Sequence, residues 1–147
     1  MIHILDLIEG KPLIHVQATD RVRDVARTMS EKNIGAVAVL DSGGVLVGLF
    51  SERDRMTRVV APGLDPERIS VASVMTKELA IADPVDDIDL CLEKMTALNC
   101  RHLPVVSDGS LVGMISLRDL LSVENQTSRA RASFLNELVI YSPDYET

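Results

Sequence analysis

The sequence predicts an α/β fold made of two related units, each with the order strand, helix, strand, strand, helix. The first observation behind this prediction is a repeat: LVGLFSERD at residues 46–54 returns as LVGMISLRD at residues 111–119, with six of nine letters unchanged. The second is that the likeness extends outward, since LDLIEGK at residues 5–11 aligns with VASVMTK at residues 71–77. The third is that the spacing of hydrophobic residues changes between helical and strand periods at the same places in both copies. A unit of about 60 residues that occurs only twice is a tandem pair and not a long array.

Each unit begins with a short extended segment, LIHVQ in the first copy and LAIAD in the second. Apolar residues then recur at i, i+3, i+4 and i+7, starting at Val22 and again at Ile88, which predicts one buried face of a helix. Asp20 and Asp86, with Thr19 as an alternative in the first copy, are suitable N-caps because their side-chain oxygens can accept a backbone N–H. The first half of each unit is therefore predicted to be a strand followed by an amphipathic helix.

The second half of each unit is predicted to be a β-hairpin followed by a second helix. The solid apolar runs GAVAVL and HLPVV are typical of strands that are buried on both faces. DSGG and SDGS predict the hairpin turns, because glycine tolerates the positive φ that such turns require. After the returning strands, Ser-x-Arg-Asp opens a helix with a predicted inward face, formed by these residues: Met56, Val59 and Val60 in the first copy, Leu120 and Leu121 in the second.

The two copies predict the domain organisation of the chain. We expect the first repeat at residues 1–66 and the second at residues 67–124, joined by the Pro- and Gly-containing stretch APGLDPERIS. Residues 125–147 lie outside the repeats, and their apolar positions predict a short helix that packs on the repeats or across a dimer. We expect two sheets, packed against each other, to close one core, because a single copy is too small to bury enough surface by itself.

Composition excludes several classes of function. The chain has 147 residues, 46% of them hydrophobic and 25% charged, with a net charge of −7, so its surface on average repels the phosphates of nucleic acids. No apolar run approaches the ~20 residues of a membrane span, and no basic signal region follows Met1. Cys91 and Cys100 do not form a metal motif and are expected to be thiols in a reducing compartment. A soluble cytoplasmic protein without metal, nucleic-acid or membrane partners is the prediction.

The repeated Ser-x-Arg-Asp has two interpretations. Ser51 with Asp54, and Ser116 with Asp119, can form capping boxes that stabilise each helix by about 1 kcal/mol. Alternatively, the helix N-terminus attracts phosphate, the serine hydroxyl donates to it, and the aspartate accepts both hydroxyls of a ribose. Capping boxes normally use Glu or Gln where both copies have the shorter Asp. The residues alone leave both interpretations open.

The repeated LVGLFSERD and the stretch CRHLPVVSDGSLVGMISLRD resemble the cystathionine-β-synthase (CBS) domain, which occurs in tandem pairs called Bateman modules. The resemblance covers roughly residues 1–123 and is closest to short, stand-alone bacterial CBS-pair proteins. It implies two β-α-β-β-α CBS units packed around a pseudo-twofold axis, with small mixed sheets and helices outside, usually as a homodimer. It also implies a sensor that binds AMP, ADP or ATP, and in some members NAD(H) or S-adenosylmethionine, without performing chemistry on them.

The resemblance also implies two related binding clefts. In the cleft of the second copy, Asp119 holds the ribose hydroxyls, Ser116 lies on the phosphate side and Arg101 meets phosphate. The first copy flanks the adenine of this ligand with three residues: Ile14, Ile34 and Gly35. The mirrored cleft uses four residues in the same way: Ser51 and Asp54 for the ligand's polar groups, and Ala80 and Cys100 as an apolar wall. Two further phosphate neighbours are implied in either cleft: Arg53 and His102.

The two clefts are predicted to differ in affinity. The second copy has Arg101 and His102 before its first hairpin strand, whereas the first copy has the uncharged GA that starts at Gly35. Arginine is suited to forked contacts with phosphate. We therefore expect the Asp119 cleft to be the tighter nucleotide site and the Asp54 cleft to be weaker or differently selective.

Two alternatives to a nucleotide sensor follow from the same residues. Ser116, His102 and Asp119 are residue types of a hydrolase triad, but GMISL lacks the glycine after serine that a nucleophile elbow needs. The sequence contains neither G-x-x-x-x-G-K-[ST] nor G-x-G-x-x-G, so an enzyme is not the prediction. The other alternative is a ligand-free module that dimerises or docks on an unidentified protein target.

Overall fold

The computed structural model describes residues 2–124. The helices in chain order are α1 (Ile4–Ile8), α2 (Val22–Lys32), α3 (Glu52–Asp54), α4 (Ile88–Leu98) and α5 (Leu117–Glu124). The strands are β1 (His15–Gln17), β2 (Ala36–Leu40), β3 (Leu46–Ser51), β4 (His102–Ser107) and β5 (Ser110–Ser116). A π-helix (Arg55–Val60) follows α3, and a 3₁₀ turn (Val71–Ser73) lies in the link between the copies.

The chain divides into two compact units that do not coincide with the two copies. Of the described residues, the first unit contains 13–79 and 108–111, and the second contains 2–12, 80–107 and 112–124. Each unit has its own buried cluster of hydrophobic side chains, whereas the sequence predicts one core closed by two sheets. The physical reason is that a segment from outside each hairpin packs into its cluster.

A three-stranded sheet forms the centre of the first unit. β2 pairs in parallel with β1 and antiparallel with β3, and all five residues of β2 are buried. This confirms the prediction of a strand buried on both faces. Ala36 pairs with Ser51, and the Glu52 N–H donates to the Gly35 carbonyl at 3.0 Å. The end of β3 and the start of α3 are therefore fixed beside the start of β2.

The second unit repeats this junction around a two-stranded sheet. β4 and β5 pair with each other, and the Leu117 N–H donates to the Arg101 carbonyl at 2.8 Å, as Glu52 does to Gly35 in the first unit. The extended segment expected at LAIAD is reduced to one parallel bridge, between Ala82 and Val105. The positive φ values of Gly44 (82°) and Gly109 (78°) confirm both predicted hairpin turns.

The leading segments of the two copies, residues 5–11 and 71–77, complete the two clusters. Ile4 and Ile8 of α1 lie in the cluster of the second unit, together with residues of α4, β4 and α5. Val71, Val74 and Met75, from the leading segment of the second copy, lie in the cluster of the first unit. Each repeated hairpin is thus covered by the leading segment of the other copy.

These leading segments explain the glycine in the repeated LVG. A Cβ at Gly48 would lie 2.3 Å from the Met75 Sδ, and a Cβ at Gly113 would lie 2.9 Å from the Ile8 Cγ2. Both distances are shorter than non-bonded atoms tolerate. Glycine therefore recurs because the leading segment passes directly over the returning strand in each unit.

Both predicted N-caps are wrong. Arg21 and Asp87 precede the two helices, and the Asp87 carboxylate accepts the Leu90 N–H at 2.9 Å. Asp20 and Asp86 instead accept the N–H three residues earlier, at 3.0 and 2.9 Å. The first amides of α2 donate to backbone carbonyls that lie more than 40 residues away in sequence, namely those of Ile69 and Pro66. A side-chain cap is therefore not needed there.

The predicted inward face after α3 is only partly correct. Val59 is buried, but Met56 and Val60 are 50% and 59% exposed. The i→i+5 spacing of the π-helix rotates successive side chains away from the face that α-helical spacing would give them. In the second copy, Leu120 is buried and Leu121 packs against the cluster, as predicted.

Two further predictions concern the chain's ends and its environment. The helix expected in the tail at residues 125–147 lies outside the described residues. Within residues 2–124, none of the helices has the length and apolar character that crossing a membrane requires.

Candidate functional site

The two strand-to-helix junctions contain the same pair of hydrogen bonds. In the first unit, the Asp54 N–H donates to the Ser51 Oγ at 3.1 Å, and the Ser51 N–H donates to the Asp54 Oδ2 at 3.0 Å. In the second unit, Ser116 and Asp119 form the same bonds at 3.1 and 2.9 Å. Both are capping boxes closed by Asp, so the structural interpretation of the motif is correct. It uses one carboxylate oxygen of each aspartate, Oδ2, and leaves Oδ1 for another partner.

In the first unit, Oδ1 of Asp54 already has such a partner. The Thr76 hydroxyl donates to it at 2.9 Å, and the Arg58 Nε lies 3.7 Å away. The Asp54 side chain is only 8% exposed. Burial of a carboxylate is costly unless it is paired and hydrogen-bonded, and these contacts satisfy that requirement. Asp54 is consequently enclosed by its own unit.

Arg58 also fixes the backbone that carries Thr76. Its Nη1 donates to the Met75 carbonyl at 2.8 Å and lies 3.5 Å from the Val74 carbonyl. A guanidinium presents several donors in a rigid planar arrangement, so one side chain can hold the carboxylate and the adjacent carbonyls together. Arg58 therefore fixes the two carbonyls before Thr76, and Thr76 itself pairs with Leu49 through its N–H at 2.8 Å and its carbonyl at 2.9 Å.

In the second unit, Oδ1 of Asp119 has a weaker partner. The Lys11 Nζ lies 3.4 Å from it, and the side chains of Lys11 and Asp119 are 55% and 29% exposed. Exposed ion pairs of this kind contribute 0–1 kcal/mol, since water screens the charges and the lysine loses conformational freedom. Among the contacts of residues 2–124, no hydroxyl donates to this oxygen. The Asp119 carboxylate is thus more accessible than that of Asp54.

The structure places the remaining predicted site residues in the two units as follows. Gly35 and Arg101 lie directly beside the junctions, because their carbonyls accept the first helical N–H of α3 and α5. His102 begins β4 and is half-buried, whereas Arg53 is exposed on α3. The predicted apolar flanks are half-buried and pack on a cluster of their own unit: Ile14 and Ile34 in the first, Ala80 and Cys100 in the second. The assignment of a residue from one copy to a cleft of the other stays a prediction.

Sequence reasoning did not identify Thr76, Arg58 and Lys11 as neighbours of the two aspartates. Thr76 and Lys11 lie in the leading segments VASVMTK and LDLIEGK, which the alignment of the copies brings together. The informative signal was the difference between the copies at one aligned position, which is Gly10 in one leading segment and Thr76 in the other. This difference between otherwise similar segments points to Thr76 as a residue whose role is not shared by the two copies.

Other titratable groups of the second unit have structural roles. Burial, with a smaller contribution from the nearby Asp86 charge, raises the pKa of the Cys91 thiol to about 11, so Cys91 is a neutral buried thiol and not a nucleophile. Burial would also raise the pKa of Asp86, but the Asp83 N–H and the Lys94 ammonium more than offset this and hold it below its usual value. Within the described part of the chain, no group of three His, Cys, Asp or Glu side chains could hold a metal ion.

Fold and junctions together define a tandem α/β protein in which each copy presents the same strand-to-helix motif. A family model described as the CBS domain matches the chain twice, at residues 6–60 and 71–125. The chain therefore belongs to the CBS domain family, which confirms the resemblance seen in the sequence. CBS pairs are regulatory modules, and the mixed α/β fold with small sheets agrees with that of solved CBS-pair structures.

Relatives and solved structures agree with this assignment. The CBS domain-containing protein YhcV of Bacillus subtilis is 30% identical over 123 residues, which are 84% of this chain and 86% of YhcV. A protein with CBS domains from Burkholderia ambifaria has a TM-score of 0.78 at 32% identity, covering 86% of this chain and 97% of that one. The CBS domain pair of protein MJ0100 shares the fold, with a TM-score of 0.78 at 22% identity. The match covers 87% of this chain and 99% of that one. That pair was solved in complex with 5′-methylthioadenosine and S-adenosyl-L-methionine. The chain spans 60% and 58% of the length of two other curated relatives, at 28% identity.

Proposed function

We propose that this CBS pair is a regulatory module that binds an adenine nucleotide, AMP, ADP or ATP, at the Asp119 junction and does not transform it. The observation that carries the proposal is the Oδ1 atom of Asp119. It is a partly exposed carboxylate oxygen, held by a capping box at a strand end, and its partner is an exposed lysine at 3.4 Å. Such an oxygen can accept hydrogen bonds from ribose hydroxyls, as acidic residues do in other nucleotide folds.

The surrounding groups suit the phosphate end of the same ligand. The Ser116 oxygen accepts the Asp119 N–H, which leaves the hydroxyl proton of Ser116 able to donate to phosphate. The positive end of the α5 dipole lies at the same place, and Arg101 precedes β4 directly beside it. Lys11, displaced from Asp119 by the ribose, remains close enough to pair with phosphate. These four groups supply a hydroxyl, a dipole and two cations to one anion.

The Asp119 junction is the tighter of the two proposed sites. The Arg101–His102 pair supports this from the sequence, and the exposure of the two carboxylates supports it independently, at 29% for Asp119 against 8% for Asp54. The MJ0100 pair was solved with two adenosine compounds that are not nucleotides, so S-adenosylmethionine is the second candidate ligand. NAD(H), the remaining candidate, shares the same adenosine moiety.

The regulatory part of the proposal follows from family membership. A sensor reports ligand binding because the ligand contacts one conformation more favourably than another. We include in the proposal a homodimer that signals nucleotide state to a protein target. A cytoplasmic location stays a prediction from the sequence.

Thermal unfolding with a ligand panel tests the proposal. AMP, ATP, NADH and S-adenosylmethionine are each added to purified protein, with GMP as the control for phosphate and ribose without adenine. A ligand at a hundred times its dissociation constant stabilises the folded state by about 2.7 kcal/mol, which shifts the melting temperature measurably. We expect a shift with at least one adenine compound that is larger than the shift with GMP. No shift with any compound would contradict the proposal and favour the ligand-free interaction module.

A further inference from the structure

We infer that Thr76, held by Arg58, is an internal latch that takes the place of a ribose hydroxyl on Asp54, so that the chain binds nucleotide only at Asp119. The inference rests on the proposed function, and it adds a residue that determines which of the two repeated carboxylates is used. Neither the repeat nor the capping boxes distinguish the two sites, since both are the same in the two units.

The contact itself has the chemistry of ribose recognition. The Thr76 Oγ1 donates to the Asp54 Oδ1 at 2.9 Å, which is a hydroxyl on an ionised carboxylate. A ribose hydroxyl on the same oxygen would be the same kind of charge-assisted hydrogen bond. The other carboxylate oxygen is already used by the Ser51 N–H. A carboxylate oxygen can accept a second hydrogen bond, but the Asp54 side chain is only 8% exposed, so a ligand gains access by displacing an internal group of equal hydrogen-bonding strength.

The aligned positions in the other unit lack both parts of the latch. Position 76 corresponds to Gly10, which has no hydroxyl, has a φ of +79° and has no atom within 4 Å of where a Cβ would be. Position 58 corresponds to Val123, a half-buried apolar residue that packs against its cluster and has no donor for a carboxylate. The hydroxyl that Thr76 supplies in one unit therefore has no counterpart at the aligned position of the other.

Lys11, the partner of Asp119, is held less firmly than the groups around Asp54. Lys11 approaches at 3.4 Å with a side chain that is 55% exposed, whereas Arg58 is fixed by the Met75 carbonyl at 2.8 Å. An exposed lysine can move to solvent or to a ligand phosphate at little cost. The Thr76 backbone is paired with Leu49 and follows the carbonyl that Arg58 holds, so Thr76 is less free to move away from Asp54 than Lys11 is from Asp119.

Calorimetric titration with AMP measures the number of sites and tests the latch. We expect one equivalent per chain for the wild type and two for Thr76→Ala, which removes the hydroxyl and opens the space. Thr76→Ser is the matched control, because it keeps the hydroxyl, and we expect it to remain at one equivalent. Adding Asp119→Asn to Thr76→Ala is expected to leave one equivalent, bound at the opened site.

The possible outcomes separate this inference from the proposed function. If neither the wild type nor any variant binds AMP, ATP, NADH or S-adenosylmethionine, the proposed function fails and the inference with it. If the wild type binds one equivalent and Thr76→Ala also binds one, the nucleotide site stands and the latch is refuted. Two equivalents in the wild type would refute the latch equally.

A second variant covers the case in which Thr76→Ala does not fold. Arg58→Val changes a side chain that is about half exposed into the residue found at the aligned position 123. It removes the cation near the Asp54 Oδ1 and the donor to the carbonyl before Thr76, while the Leu49 pairing of Thr76 stays and no cavity forms at residue 76. We expect a second, weaker equivalent of AMP. A single equivalent in a folded Arg58→Val protein would contradict the latch.

Discussion

The same substitution at the two repeated aspartates is expected to have unequal effects on stability. Asp54→Ala removes an N-cap partner and, in addition, a charge-assisted hydrogen bond from Thr76 in a site that is 8% exposed. The cap contributes about 1 kcal/mol and a hydrogen bond to a charged group about 1.5–3 kcal/mol, so we expect a loss of roughly 3 kcal/mol. The loss should be larger than for most single substitutions, because a donor and a guanidinium lose their partner.

Asp119→Ala removes the equivalent cap and only an exposed contact with Lys11. We expect a loss of about 1 kcal/mol, most of it from the cap, since exposed ion pairs contribute little. The two variants should therefore differ by roughly 2 kcal/mol in the free energy of unfolding, and this difference measures the contribution of the contacts that enclose Asp54.

Urea unfolding of nucleotide-free protein, followed by circular dichroism, measures both losses. Ser51→Ala and Ser116→Ala are the matched controls: each removes the acceptor of one capping N–H, at 3.1 Å in both units, so their costs should be equal within error. Equal losses for the two aspartate variants, or a larger loss for Asp119→Ala, would refute the reasoning that Asp54 is enclosed and Asp119 is not.

Three further predictions concern packing, pH and the buried thiol. Gly48→Ala should destabilise by about 1–3 kcal/mol in urea unfolding, because the new methyl group overlaps Met75. The same substitution should cost less in a Met75→Ala background, where the methyl group has room, and no effect of Gly48→Ala in the wild type would contradict the close packing. The pKa of Asp86 is lower in the folded protein than its usual 3.8, so its carboxylate stabilises the fold at neutral pH and this stabilisation is lost as the pH falls through the lowered pKa. Asp86→Asn should therefore destabilise at pH 7 and have a much smaller effect near pH 2, and an equal effect at both would contradict the Lys94 interaction. Iodoacetamide at pH 8 should modify Cys91 far more slowly in native protein than in urea, because the thiol is buried and its pKa is about 11. Peptide mass spectrometry measures both rates, and equal rates would contradict this prediction.

Hydrophobic spacing predicted most of the fold because burial follows the period of each element. The helical face of Ile88, Cys91, Leu92 and Met95 is buried as predicted, and so is every residue of β2. The N-caps were predicted wrongly because a nearby aspartate is visible in sequence, whereas the carbonyls of Ile69 and Pro66, which receive the first amides of α2, are not. The π-helix after α3 was equally invisible, since its residues have no sequence pattern that distinguishes them from an α-helix.

The candidate site was predictable only in part, for a related reason. Ser51, Asp54 and their counterparts were found because both copies repeat them, and the structure shows them in matching hydrogen-bonded pairs. Thr76 was not found, because it lies 22 residues from Asp54 in sequence and reaches it only when the leading segment packs across the returning strand. Duplication predicts the shared chemistry of two sites, whereas their difference depends on contacts made outside the repeated motif.

The claim that a carboxylate of this protein binds the sugar of an adenosine ligand is tested most directly by removing the sugar hydroxyls. AMP and its 2′,3′-dideoxy analogue are titrated into the wild type and into Asp119→Asn. We expect the analogue to bind the wild type at least about tenfold more weakly, because a hydrogen bond to a charged group contributes about 1.5–3 kcal/mol, and the difference to disappear in Asp119→Asn. Equal binding of both compounds by the wild type, or an unchanged difference in Asp119→Asn, would contradict the account.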